Sequence, residues 1–240
     1  MKILVAGDTH GSLEHLSRLC AAAVDEGADL IIQVGDFGFS WSLGALSQAD
    51  ELLGKYGIEL WWLDGNHENF DILEIGFGAT PDDPVATKTG TWITYMPRGY
   101  RFTLDGVRCM AFGGAISIDR QWRKPGVSWW RQEAITNRQV DRALDGSFID
   151  ILFCHDAPNN GGLEQFFLPG VGPGELRDSA LSRAALDKVV EHLTPGLVVH
   201  GHYHGRYSRT IGQVAIEGLS CAGAGADSWM MIDTDWFLDG

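Results

Sequence analysis

The sequence predicts an α/β fold in which strands and helices alternate through the first third of the chain and antiparallel strands follow. Three observations carry that expectation. Three short apolar runs each stop at a Gly-Asp or Gly-Asn pair, stretches of helical period separate the runs, and Asp105-Gly106 joins two further strand-like runs.

KILVAG at 2–7 is apolar and branched, as a buried strand requires, and it stops at Gly7-Asp8. Ser12 is a helix cap, Leu13, Leu16, Leu19 and Cys20 share one face, and Gly27 is a stop, so a helix is expected to about Glu26. DLIIQV at 29–34 repeats the strand pattern and ends in Gly35-Asp36. A helix over about 45–55 leads to IELWWLD at 58–64, which ends in Gly65-Asn66-His67-Glu68. Strands alternating with helices pair in parallel through right-handed crossovers, which lines up their carboxyl ends along one edge. That edge is where open α/β sheets bind ligands, and here it gathers Asp8, His10, Asp36, Asn66 and His67.

The middle of the chain, WITYMP and then RFTLDGVRCMAFGG, reads as antiparallel around the Asp105-Gly106 turn. Residues 113–130 are rich in Trp and Arg without a clean period, and are expected to form a cap or rim. A helix over about 131–144 precedes the strand DILFC, which delivers His155. The Gly/Pro-rich stretch 158–174 is expected to be a loop of its own. Ser179 or Ser182 then caps a helix over about 180–193, and LVVHGHYH reads as a strand carrying His202 and His204. RYSRT, QVAIEG and SWMMIDTD are expected to close a second sheet as antiparallel strands. With no repeat or linker in view, one domain over 1–240 is expected.

Composition narrows the classes of function. Apolar runs fall short of the roughly 20 residues that span a bilayer, and the opening residues lack the pattern of an export signal. The four cysteines are dispersed, without a C-x-x-C pair, so a reducing cytoplasm is the expected compartment. A formal net charge of -14 repels polyanions, which argues against a nucleic-acid polymer as partner.

Five separate strand ends present Asp, Asn or His: Asp8 and His10, Asp36, Asn66, His155, and His202 with His204. One such residue is ordinarily a turn or cap former, but five convergent ends read as a metal centre. Carboxylate, amide and imidazole donors without thiolate suit Mn²⁺, Fe, Zn²⁺ or Co²⁺. Four histidines and two carboxylates exceed the needs of one ion, whereas two ions sharing Asp36 use them all. Arg120, Arg123 and Lys124 are read first as a solvated loop, with a hold on a substrate's negative charge as the alternative, and Trp122, Trp129 and Trp130 as core or rim, with stacking on a base as the alternative. Asn159 and Asn160, directly after the His155 block, are read either as lining the pocket or as turn formers, and His15, His192 and His200 as structural.

The ordered blocks Asp8-Thr9-His10, Gly35-Asp36, Gly65-Asn66-His67-Glu68, His155 and Gly201-His202-Tyr203-His204 resemble the calcineurin-like metallophosphoesterases. That superfamily also takes in the purple acid phosphatases and class III phosphodiesterases. The resemblance implies two mixed β-sheets packed as a sandwich flanked by helices. It implies two metal ions, Mn foremost, one held by Asp8, His10, Asp36 and His204 and the other by Asp36, Asn66, His155 and His202. It implies hydrolysis of a small phosphoester, a phosphodiester such as a cyclic nucleotide in the first instance, with a metal-bridging hydroxide as nucleophile. The alternatives are a phosphomonoesterase or nuclease of the same superfamily, or a non-catalytic metal-binding scaffold. His67 is surplus to the ligands, so it is assigned to protonating the leaving oxygen or, with Asn66, to binding phosphate. The family's Ser/Thr protein phosphatases carry G-D-x-V-D-R-G after the bridging Asp. Gly35-Asp36-Phe37-Gly38-Phe39-Ser40 lacks both the second Asp and the Arg, which argues against a phosphoprotein phosphatase and leaves His67 without an assigned orienter.

Overall fold

In the computed structural model, which describes residues 1–159, 163 and 171–238, the chain forms two six-stranded mixed sheets packed face to face. The first holds β1 (Lys2–Ala6), β2 (Leu30–Gln33), β3 (Glu59–Trp62), β4 (Thr87–Lys88), β5 (Ile93–Tyr95) and β12 (Trp229–Asp233), in the order β12-β1-β2-β3-β5-β4. The second holds β6 (Tyr100–Leu104), β7 (Val107–Phe112), β8 (Ile151–Cys154), β9 (Leu197–His200), β10 (Tyr207–Ile211) and β11 (Val214–Gly218), in the order β10-β11-β9-β8-β7-β6. Each sheet has four parallel strands bounded on both sides by an antiparallel one.

Strand alternation explains the layering. Ile3 and Val5 of β1 face the second sheet, where they meet Cys109, Ala111, Phe153 and Val199. Leu4 and Ala6 face the other way, onto α1 (Leu13–Glu26) and α2 (Leu43–Tyr56) through Leu16, Leu19, Leu46 and Leu53. Beyond the second sheet, Met110, Phe112, Leu152 and Val198 meet α4 (Asn137–Leu144) and α5 (Pro173–Leu193), while α3 (Phe70–Phe77) packs on the first. Strands covered on both faces read as continuous apolar runs, which is why β1, β2 and β8 were visible in the sequence.

Several elements differ from the sequence reading, each for a local reason. The helix expected over 131–144 begins only at Asn137, because Thr136 and Gln139 form a capping box, and a 3-10 turn, Arg131–Glu133, precedes it. The helix expected over 180–193 begins at Pro173, whose fixed φ suits a first helical position. Ser179 and Ser182 are therefore buried inside α5 and do not cap it. Helix α3, capped by Asn69, had no counterpart in the reading. The run 92–97, read as antiparallel, pairs in parallel with β3. Of the last strands, β11 pairs in parallel with β9, and β12 leaves the second sheet to pair with β1. The expected loop 158–174 lies mostly outside the described residues.

One buried ion pair ties the sheets to the rim. Arg98 and Asp64 are both fully buried, with Arg98 Nε and Nη2 donating to Asp64 Oδ2 at 2.9 and 2.6 Å. Tyr95 donates to Asp64 Oδ1 at 2.8 Å, and the rest of the guanidinium reaches the carbonyls of Gln132, Glu133 and Ala134. Removing one partner leaves an uncompensated buried charge, so Arg98→Ala is expected to lower unfolding free energy by about 3–5 kcal/mol in a denaturant titration. A loss below about 1 kcal/mol, the scale of a surface pair, would show that the pair does not hold this region.

Candidate metal centre

The predicted site residues sit where parallel strands end. Asp8 follows β1, Asp36 follows β2, Asn66 follows β3, His155 follows β8, and His202 and His204 follow β9, so both sheets contribute. The loops are bonded to one another: Asp36 carbonyl accepts from the backbone N–H groups of Thr9 and His10 at 3.2 and 2.9 Å, and Phe37 carbonyl accepts from Gly11 N at 3.0 Å.

His202 and His204 do not lie on an extended segment, as the sequence reading had them. β9 stops at His200, and both residues take left-handed backbone, with φ of 68° and 52°. His10 and Asp36 do the same, at 46° and 52°, whereas among the described residues only Asp105 and Thr194 otherwise have positive φ without being glycine. Such conformations cost of order 1 kcal/mol or more each and tend to collect at functional sites. Their effect here is to split the pair: His204 turns toward Asp8 and His10, and His202 toward Asp36 and His155.

Two groups of potential ligand atoms result, each with all its atoms within 4.8 Å: Asp8, His10, Asp36 and His204 in one, and Asp36, His155 and His202 in the other. Asp36 belongs to both. Asn66 joins the second group through its Oδ1, 3.1 Å from His155 Nε2. The sequence-derived residues therefore come together with Asp36 at their centre.

Three observations test whether a cation fits. First, Asp8 Oδ2 is buried without a hydrogen bond of good geometry, although the Nε2 atoms of His204 and His10 lie 3.0 and 3.8 Å away. Second, His155 Nδ1 lies 2.9 Å from the Val34 carbonyl, which can only accept, so Nδ1 carries a proton. His155 Nε2 then faces Asp36 Oδ1 at 3.3 Å and Asn66 Oδ1, acceptor oxygens that a proton on Nε2 or a cation among the three would satisfy. Third, a Cβ on Gly65 would lie 2.1 Å from Asp36 Oδ1, and one on Gly201 would lie 2.1 Å from Asp8 Oδ1. Those glycines keep the cradle open. With their oxygen and imidazole donors, these residues fit a pair of divalent ions.

The electrostatics follow from burial and neighbours. Burial works to raise Asp36, but the imidazoles of His155, His67, His10 and His202 together hold its carboxyl below the usual range. Burial depresses His202, whereas at His155 it is outweighed by the carboxylates of Asp36 and Asp8. Glu68, which had no role in the sequence reading, is pushed up to about 7 by burial and by Asp36. Its carboxyl group takes the backbone N–H groups of Phe37 and Gly38 and the Ser40 hydroxyl, so it anchors the loop that carries Asp36. The last letter of Gly65-Asn66-His67-Glu68 was the signal that could have found it.

His67 stands beside this centre: its backbone N–H donates to Asp36 Oδ1 at 2.8 Å, and its ring meets that of His10 edge-on at 5.3 Å. Arg123 corrects the reading of a solvated loop. Its side chain is only 8% exposed, its Nη2 contacts His67 Nε2, and its Nε pairs with Asp119 at 2.7 Å. Arg120 instead pairs with Asp178, and Lys124 is exposed. Trp130 is buried against Trp41, and Trp122 is exposed. Asn159 donates through its backbone N–H and Nδ2 to Asp187 of α5, tying the end of the β8 loop to that helix, and Asn160 lies outside the described residues. His200 is buried against the Tyr207 hydroxyl and Gly201 carbonyl, and burial lowers it to about 4.

Comparison with known proteins adds an independent line. A family model described as calcineurin-like phosphoesterase matches residues 1–206. No curated protein matches the sequence. Among solved structures, a protein of Thermus thermophilus superposes with a TM-score of 0.55 at 14% identity, covering 97% of this chain and 98% of that one. A dimetal phosphatase from Danio rerio gives a TM-score of 0.55 at 13% identity, covering 96% of this chain and 91% of that one. An archaeal phosphodiesterase gives 0.51 at 13% identity, covering 98% and 95%. At such identities these likenesses bear on the fold alone. The family match, by contrast, runs from β1 through the loop that carries His202 and His204, and it agrees with the observed sandwich: the chain belongs to the calcineurin-like phosphoesterase family.

Proposed function

We propose that the chain is a dinuclear metal-dependent hydrolase of phosphoester bonds, acting by preference on small phosphodiesters such as cyclic nucleotides. The observation that carries this reading is the pair of Asp/His groups sharing Asp36, with His67 and Arg123 beside them. In it, Asp8, His10, Asp36 and His204 hold one ion and Asp36, Asn66, His155 and His202 the other. Mn²⁺ is the ion we assign first, with Fe, Zn²⁺ and Co²⁺ as alternatives. Bound there, the pair would supply Lewis acidity toward phosphoryl oxygens and a water that ionises near neutral pH.

The chain's own residues then have distinct tasks. Asp36 would contribute to both positions, and by accepting the His67 backbone N–H it holds that residue beside them. His67 is placed to give a proton to the leaving oxygen. Arg123, all of whose nitrogens are donors, can take a phosphoryl oxygen that enters between it and His67. Four free cysteines, three of them buried, support the cytoplasm as the compartment. No helix among the described residues is long and apolar enough to cross a membrane.

Arg123 also favours a second reading, a phosphomonoesterase, because a dianionic phosphate gains more from an added guanidinium than a diester monoanion does. A substrate panel with Mn²⁺ separates the two: bis-p-nitrophenyl phosphate, p-nitrophenyl phosphate and cyclic nucleotides, each with wild type and Arg123→Ala. Higher kcat/KM on diesters, with a loss of about 10–100-fold for the variant, is expected, in line with one charged hydrogen bond removed. Faster turnover of monoesters together with a much larger loss would favour the second reading, and no turnover of any phosphoester would refute both.

A further inference from the structure

Asn66 holds an unusual position among the proposed ligands, because a side-chain amide can present either its oxygen or its NH₂ toward a cation, and only the oxygen binds. The two orientations look alike in shape, so the surrounding hydrogen bonds must decide between them. Asn66 is buried, and its Nδ2 lies 3.1 Å from Ser117 Oγ, opposite the Oδ1 that faces His155. Ser117 has one hydroxyl proton. Its Oγ lies 2.5 Å from Oε2 of Glu133, which is fully buried, and its backbone N–H donates to Glu133 Oε1 at 3.0 Å.

Each step constrains the next. The Glu133 carboxylate accepts twice, so the Ser117 proton is committed to Oε2, and Ser117 Oγ can only accept from Asn66. Only the NH₂ of Asn66 can satisfy it, and Oδ1 is left aimed at the second metal position. Glu133 is itself fixed from behind, since its carbonyl accepts from Arg98 Nη2 at 3.1 Å and Arg98 is paired with Asp64, two residues before Asn66. The strand end that presents Asn66 and the segment that orients it are thus tied by one buried ion pair.

We propose that Ser117 and Glu133 are positioning residues that lock the Asn66 amide with its oxygen toward the second metal position, and so set the affinity of that position. The proposal rests on the metal reading given above and adds to it that two residues of the middle segment, neither of them a ligand, control one of the two ions selectively. Ser117→Ala removes the acceptor and frees the amide to rotate. Glu133→Gln acts differently: Ser117 N–H still claims the one acceptor oxygen, the new NH₂ faces Ser117 Oγ, and the hydroxyl proton is released from residue 133. The direction of the chain of hydrogen bonds is then no longer imposed.

The test is Mn²⁺ titration of the full-length, chelator-stripped protein, followed by equilibrium dialysis and by electron paramagnetic resonance, with denaturant stability of the stripped protein measured in parallel. Outer-shell partners of metal ligands are typically worth about 10–100-fold in affinity. Wild type is expected to take up two Mn²⁺ per chain with a spin-coupled spectrum. Ser117→Ala and Glu133→Gln should bind one ion as wild type does and the other about 10–100-fold more weakly, giving the spectrum of an isolated ion. Ser117→Thr, which keeps the hydroxyl, should restore the coupled pair. Two ions bound by all variants with unchanged affinity would overturn the proposal. So would equal weakening of both ions together with lost stability, which would mark the residues as structural only. A wild type that takes up no Mn²⁺ or related ion would refute the metal reading as well, a failure separable from that of the lock alone.

Discussion

Asp36→Asn is expected to abolish most activity, with kcat/KM falling on the order of 10³-fold or more. The residue is common to both ligand groups, and its carboxylate also receives the His67 backbone N–H. The substitution keeps the shape and removes the charge. Losing the shared carboxylate weakens both positions at once, and metal-based charge stabilisation is worth several kcal/mol, of which about 4 kcal/mol is 10³-fold in rate. Metal uptake of the variant should fall below one ion per chain. The check is kcat/KM on the preferred diester beside metal content. A variant retaining two ions and more than about a tenth of wild-type activity would show that Asp36 is not shared.

His67→Ala is expected to lower kcat by about 10²–10⁴-fold, the usual range for a positioned acid or base. The dependence on leaving group is more telling than the size. A proton donor matters most when the departing alkoxide is basic, so the loss should be largest for alkyl and cyclic nucleotide diesters and small for p-nitrophenyl esters. If His67 only grips phosphate, KM rises by a similar factor for every ester and kcat is spared. In this structure Arg123 Nη2 lies against the Nε2 of His67 and offers it only protons, so the imidazole accepts there. His67 must therefore take up a proton from solvent at Nε2, once the substrate has entered between the two side chains, before it can donate, which predicts that Arg123→Ala and His67→Ala are not additive in kcat/KM.

The Asp and Arg that the family's Ser/Thr protein phosphatases carry in this block are absent from Gly35-Asp36-Phe37-Gly38-Phe39-Ser40, which leaves His67 to be met from elsewhere. Arg123 meets it from the segment between β7 and α4, a stretch without period or motif. Sequence reasoning ranked Arg123 as part of a solvated loop, ahead of a role in holding a substrate's charge, because nothing local distinguishes it from its neighbours Arg120 and Lys124. Only the fold turns one of the three inward. Ser117 and Glu133 were invisible for the same reason, since their roles exist only across sequence distances of 51 and 16 residues.

What was legible followed from strong local physics. β1, β2 and β8 announce themselves as apolar runs because both their faces are covered, and α1 is bounded by Ser12 and by Gly27 in left-handed conformation. The convergence of Asp8, Asp36 and Asn66 follows from parallel pairing alone. The partnership of β11 with β9 and of β12 with β1 was not legible, because the same amphipathic strand suits either sheet and only tertiary packing chooses. The left-handed turns at His202 and His204 were likewise hidden, since histidine's enrichment at positive φ is too weak to announce them at a given position.

The central claim is that oxygen and imidazole donors from both sheets gather around two cations that share Asp36. Anomalous scattering from crystals of the Mn²⁺-loaded protein, recorded on both sides of the manganese absorption edge, measures this directly. Two peaks are expected, one among Asp8, His10, Asp36 and His204 and the other among Asp36, Asn66, His155 and His202. A single peak, or peaks away from these side chains, would contradict it.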